Sequence, residues 1–174
     1  FRRRRSRRRA QPVARRRVGM GLRIDILTLF PEMFDGFCST SIVGRAVERS
    51  LAEIHRTNIR DFAVDDYGTV DDAPFGGGPG MVLMCRPVFE AVEHVQQQAT
   101  PAGRVILLSP QGRPLDQPTV HRLAEQPRLV LVCGHYEGFD ERIRTHLADD
   151  EISIGDFVLS GGEPAAMAVV DAVV

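Results

Sequence analysis

The chain has 174 residues, 43% of them hydrophobic and 26% charged, which suits a single domain that buries roughly 70% of the surface its unfolded chain exposes. No apolar run approaches the ~18 to 20 residues of a spanning helix, and the apolar content is too high for full disorder, so the composition argues against both a membrane span and a disordered chain. The formal net charge of −1 hides an asymmetry: all 22 basic residues are Arg, ten of them fall within residues 1–17, and the remaining 157 residues carry 12 Arg against 23 acidic residues, a net of −11.

The opening run FRRRRSRRR cannot fold on its own and reads as a nucleic-acid-binding or targeting arm. A blander reading competes, because the first regular pattern starts just after Met20 and the chain opens on Phe. Residues 1–20 are then a disordered Arg-rich extension without a role. No apolar stretch of secretory type follows the charges. Cys38, Cys85 and Cys133 are odd in number, far apart and free of zinc-ligand spacing, so each is read as a small buried hydrophobe in a reducing compartment.

Residues 22–30 (LRIDILTLF) form a β-branched-rich strand pattern that ends at Pro31, which suits a short helix over residues 31–37. Residues 41–51 place Ile42, Ala46, Val47 and Leu51 at helical spacing, and residues 53–62 alternate as a strand. Residues 63–80 carry no period and read as a long loop. Residues 86–98 are expected as a helix. Residues 104–109 and 128–134 are continuous apolar runs of the kind buried on both sheet faces. Helices over residues 116–126, capped by Asp116, and 140–146 follow them. This alternation predicts an α/β fold with a parallel sheet flanked by helices. From Ala165 a small-residue apolar helix runs to Val174, which reads as a domain cut within its last helix.

Four loops carry the chemistry. VDDAPFGGGPGM (residues 70–81) is rich in glycines that let backbone approach a ligand, yet it fits neither the dinucleotide nor the P-loop pattern, and with no Lys a nucleotide hydrolase is disfavoured. LSPQGR (108–113), GHYEG (134–138) and ISIGDFVLSGGE (152–163) all follow buried strands, where open α/β sheets bind ligands, so they point to one convergent pocket. Their backbone amides, one Tyr and several carboxylates suit a nucleoside or a cationic cofactor better than a polyphosphate.

Taken together, LFPEMF, VDDAPFGGGPGM, LLSPQGR, CGHYEGFDERI and EISIGDFVLSGGE resemble, in order, the bacterial tRNA (guanine(37)-N(1))-methyltransferases of the SPOUT class, over residues 22–174. The resemblance implies an α/β domain with a deep trefoil knot, a rare exception to the usual topology rules, spanning residues 21–174. It implies binding of S-adenosylmethionine, a homodimer in the cytoplasm, a tRNA partner contacted largely through a C-terminal domain missing here, and methylation of N1 of the guanosine 3′ of the anticodon. The cofactor-binding positions carried over are Leu107, Leu108, Ser109 and Pro110; Gly134, Tyr136, Glu137 and Gly138; and Ile152, Ile154, Gly155, Asp156, Phe157, Val158, Leu159, Gly161 and Gly162. Asp71, Pro74, Gly76, Gly77 and Gly78 match the loop that approaches the target nucleotide.

Alternatives stay open within this set. Tyr136 either stacks on the cofactor or plugs the pocket. Glu137 is the catalytic candidate, facing the sulfonium or a Mg²⁺, or else it caps the next helix. His135 is read as solvent-facing. The base that removes the N1 proton and the Arg beside O6 are expected beyond Val174, so this segment alone is expected to transfer little or no methyl. A non-catalytic cofactor- or RNA-binding module is the alternative, and the acidic balance of the body fits poorly with RNA contacts.

Overall fold

The continuous apolar runs become the inner strands of a parallel sheet in the computed structural model, which describes residues 21–74 and 76–174. The Arg-rich extension assigned to residues 1–20 lies outside the described residues. In chain order the elements are β1 (Leu22–Thr28), a 3-10 turn (Pro31–Phe34), α1 (Asp35–Ser39), α2 (Ser41–Glu48), β2 (Ala52–Asn58), a second 3-10 turn (Ile59–Phe62), β3 (Asp71–Asp72) and β4 (Val82–Leu83). There follow α3 (Cys85–Gln97), β5 (Arg104–Pro114), α4 (Gln117–Ala124), β6 (Arg128–Cys133), α5 (Glu141–His146), β7 (Asp150–Ser153) and α6 (Glu163–Val173). Five strands lie in the order β2-β1-β6-β5-β7, every neighbour parallel, and β3 and β4 pair antiparallel apart from them.

All six residues of β6 are buried, because helices cover both faces of the sheet. Its side chains alternate between two cores. Leu129, Leu131 and Cys133 pack with Val43, Val120, Leu123 and Val169 from α2, α4 and α6. Val130 and Val132 pack with Val88, Val92, Val95 and Ile143 from α3 and α5.

A charged cluster crosses the second of these layers. Asp25 of β1 and Arg128 of β6 are both buried, with Arg128 Nε donating to Asp25 Oδ2 at 2.7 Å. The same guanidinium donates to the carbonyls of Val95 and Ala99, at the C-terminal end of α3, where orphan carbonyls need donors. Arg23 donates to Asp25 from the sheet edge of the cluster at 2.8 Å.

Three expectations are revised by the structure. The strand expected to stop at Ser109 continues to Pro114: Leu108 and Arg113 are both in register with Ile152, so residues 109–112 bulge across β7 before pairing resumes. A Cβ at Gly112 would lie 2.5 Å from the backbone of Ile152, so the crossing needs glycine. The long loop of residues 63–80 contains β3. Of the three cysteines only Cys133 is buried; Cys38 and Cys85 are half-buried, and burial pushes both of their thiols up from the ordinary value.

Candidate active site

Because β5, β6 and β7 are parallel, the segments that leave them emerge at the same end of the sheet. They enclose a cavity of about 410 Å³ lined by residues 108–111, 134–139, 152–155 and 157–162, with Arg144 of α5 and Ala165 of α6. A cavity of that size is in the range that accepts a small organic ligand. Apolar side chains and backbone dominate its wall, and among the described residues Glu137 and Arg144 are its one carboxylate and one guanidinium.

Main-chain hydrogen bonds fix the loops against one another. Gly162 N donates to Gly134 O at 2.7 Å, and His135 bridges to Gly161, so the loop after β7 is stitched to the loop after β6. Tyr136 takes a left-handed φ of 60°, stabilised by its own N–H donating to His135 Nδ1 at 3.0 Å. The His135 ring lies 5.2 Å from Phe30 and 5.3 Å from Tyr136. Ser153 Oγ donates to Gly155 O at 2.8 Å and closes the turn after β7. Beneath these loops the buried Glu163 accepts from Thr28 Oγ1 at 2.6 Å, tying α6 to the end of β1.

Most of the cofactor-binding positions expected from the sequence meet in this cavity. Two do not line it. Leu107 is fully buried and faces the α3 and α5 layer, one residue out of phase with Leu108, and Asp156 lies outside the wall. His135, expected to face solvent, is half-buried and lines the cavity. Glu137 does not cap the next helix: Asp140 does, accepting from Arg142 N at 2.9 Å.

The glycine-rich loop stays outside the cavity, with Asp71 opposite Leu83 in the short ladder, Pro74 half-buried and residues 76–78 exposed. Its far end nevertheless touches the site, because Glu137 N donates to Met81 O at 2.9 Å and a Cβ at Gly80 would lie 2.4 Å from Glu137 Cγ.

Gln111, His135, Phe139, Arg144, Ser153, Ser160 and Ala165 also line the cavity and were not singled out for it. Gln111, His135, Ser153 and Ser160 stand inside the loops already marked, so their position in a motif was signal enough. Arg144 gave none, being one Arg of a polar helix.

Asp140 closes the loop that carries Tyr136 and Glu137. Hydrogen bonds from the Arg142 side chain, then from its N–H, hold the Asp140 carboxyl well below the usual carboxylate range. A carboxyl lowered by folding contributes stability above its unfolded value near 4 and loses it as pH falls through the lower folded value. Asp140→Ala is therefore expected to cost about 1 kcal/mol at pH 7. Urea unfolding of the two proteins should show that difference shrinking below pH 4.

Among the described residues no group of three or more His, Cys, Asp or Glu could hold a metal ion, and no helix is long and apolar enough to cross a membrane.

Comparison with known proteins matches this architecture to one family. The family model described as tRNA (Guanine-1)-methyltransferase TrmD matches residues 22–174. A tRNA (guanine-N(1)-)-methyltransferase of Brevibacillus brevis is 58% identical over 153 residues, covering 88% of this chain and 62% of that protein. One from Staphylococcus haemolyticus is 54% identical over 153 residues, with the same coverage of 88% and 62%. The chain thus spans about three-fifths of the length of these curated relatives. The crystal structure of the tRNA (m1G37) methyltransferase from Aquifex aeolicus superposes with a TM-score of 0.81 at 41% identity, covering 88% of this chain and 68% of that one. The sheet, the strand-end cavity and the sequence match over residues 22–174 agree, and the chain belongs to the tRNA (guanine-1)-methyltransferase family.

Proposed function

We propose that the protein transfers a methyl group from S-adenosylmethionine to N1 of the guanosine 3′-adjacent to the anticodon of tRNA, as a cytoplasmic homodimer. The observation that carries this is the cavity: three loops at the ends of parallel strands, walled by backbone and apolar groups with a lone carboxylate, in a chain of this family. That lining fits an adenosine joined to a cationic sulfur. The carbonyls of residues 134–138 and the main-chain groups of residues 154–159 read the base, Leu108, Ile152 and Ile154 pack on it, and Gly134, Gly161 and Gly162 let it approach closely.

When bound, S-adenosylmethionine supplies an electrophilic methyl on a positively charged sulfur. Glu137 would face that charge, and Tyr136, 40% exposed at the rim, would cover the mouth. Guanine N1 would have to give up its proton to accept that methyl, and the cavity wall would hold the cofactor in line for it. On this reading the base for N1 and the donor for O6 belong to residues outside 22–174. A Mg²⁺ at Glu137 would take that carboxylate as its ligand from the cavity wall and its other oxygens from water and substrate.

Residues 21–174 are the methyltransferase domain, and the loops through the cavity interlock as a SPOUT trefoil knot. The crossing of Gly112 over Ile152 and the stitch from Gly162 to Gly134 support that topology. The exposed apolar rim of Phe157, Val158 and Leu159 supports burial against a second copy. Residues 71–78 are assigned to the approach of the target nucleotide.

Titration of S-adenosylhomocysteine into the protein tests the reading. Saturable binding is expected, lost in Gly155→Trp, where the added ring fills the cavity beside Phe157. Absence of binding, or binding untouched by the substitution, would overturn the cofactor assignment. With a tRNA transcript and S-adenosylmethionine this segment alone should transfer little or no methyl, and a turnover near that of the full-length relatives would overturn the placement of the N1 base outside residues 22–174.

A further inference from the structure

We propose that Glu151, which does not itself line the cavity, is the positioning residue that holds the wall segment Ser109, Pro110 and Gln111 in place. This deepens the cofactor reading above and rests on it for its consequence.

The segment needs such a hold. Leu108 and Arg113 are both in register with Ile152, so the residues between them leave the ladder, and the sheet does not set their conformation. Glu151 supplies the hold from the middle of β7. Its Oε1 accepts from Ser109 Oγ at 2.5 Å, and Ser109 Oγ in turn accepts from Gln111 N at 3.2 Å. Arg144 forks onto the same carboxylate, with Nε 2.8 Å from Oε2 and Nη2 3.0 Å from Oε1, and Nη2 also donates to Gln111 Oε1 at 2.9 Å. One carboxylate thereby fixes both ends of the segment, Ser109 directly and Gln111 through Arg144. Its side chain is only 17% exposed, where a bidentate pair has little competition from water.

Arg144 is a cation in the cavity wall, and the geometry argues against its binding an anionic ligand group directly. Its remaining terminal nitrogen donates to Glu141, so two carboxylates and an amide occupy the guanidinium. Its charge is already balanced within the network.

The test is Glu151→Gln, which keeps the shape but turns an amide NH₂ toward donors that need an acceptor. Hydrogen exchange in ligand-free protein should show the amides of residues 109, 111, 112 and 113 exchanging roughly 10-fold faster, with the global unfolding midpoint little changed. S-adenosylhomocysteine and 5′-methylthioadenosine, which lacks the amino-acid end, should both bind roughly 10-fold more weakly, as expected when a preorganised wall is loosened. Arg144→Met added to Glu151→Gln should weaken binding little further, because the two act as one unit. Unchanged exchange would overturn the positioning role. A loss confined to S-adenosylhomocysteine would overturn it too, assigning the network to direct recognition of that ligand's charged end. If the unsubstituted chain binds neither ligand, the cofactor reading fails and the consequence for binding with it, while the exchange result still decides the positioning role.

Discussion

Replacing Arg128 by Met is expected to destabilise the protein by about 3–5 kcal/mol, the range for removing one partner of a buried ion pair. The guanidinium is 2% exposed and Asp25 fully buried, so the substitution strands a carboxylate in the layer between the sheet and α3, with Arg23 left to compensate it from the edge. It also removes the donor to the Ala99 carbonyl just past α3 and one of the two donors to the Val95 carbonyl, which keeps the N–H of Gln98. Methionine fills most of the space, which separates the charge effect from a cavity effect. Urea unfolding at pH 7 measures the loss, and the thermal midpoint should fall by roughly 10 °C or more. Adding Asp25→Leu should recover more than half of the loss, since the stranded charge then disappears. A loss under about 1 kcal/mol for Arg128→Met alone would show that the cluster is solvated and contributes little.

That cluster shows where sequence reading stops. Residues 104–109 and 128–134 announced themselves because strands buried on both faces need apolar residues at every position, and Asp116 announced a helix start because a side-chain acceptor is wanted there. Arg128 opens one of those strands and Asp25 sits within another, 103 residues away, and no local period encodes a pairing made across the sheet. The strand β7, with sequence DEIS, is polar and short, and it is a strand only because β5 pairs with it twice, before and after the bulge. The loops around the cavity were legible as glycine-bearing motifs after strands. Which of their residues face inward was not, as Leu107 and Leu108 illustrate: the pleat turns the first toward α3 and α5 and the second toward α6 and the cavity. Arg144 and Glu151 were invisible for the same reason as Arg128, since their partners are brought together by the fold alone.

Gly162→Ala, the addition of one methyl group, is expected to remove S-adenosylhomocysteine binding by more than 30-fold and to cost about 2 kcal/mol of stability, in the range for overpacking a filled site. The backbone conformation is not the obstacle, because φ at Gly162 is −80° and any residue can adopt it. Space is. The new Cβ would lie 2.7 Å from Gly134 N and 2.8 Å from Cys133 Cα, where ordinary contact begins at 3.4 Å, and all of these atoms are backbone that no rotamer change can move. Relief requires the start of α6 to withdraw from the loop after β6. That stretches the bond from Gly162 N to Gly134 O, the stitch that holds two of the three cavity loops together. Glu163 would move with it and pull on its buried partner Thr28. Gly36→Ala is the matched control, since a Cβ at Gly36 meets nothing within 4 Å and alanine suits the helix. It should bind like the unsubstituted protein and be no less stable. Calorimetric titration alongside thermal unfolding separates the two effects. If Gly162→Ala bound the ligand normally, the contact between the two loops would not shape the site and the ligand would have to lie elsewhere.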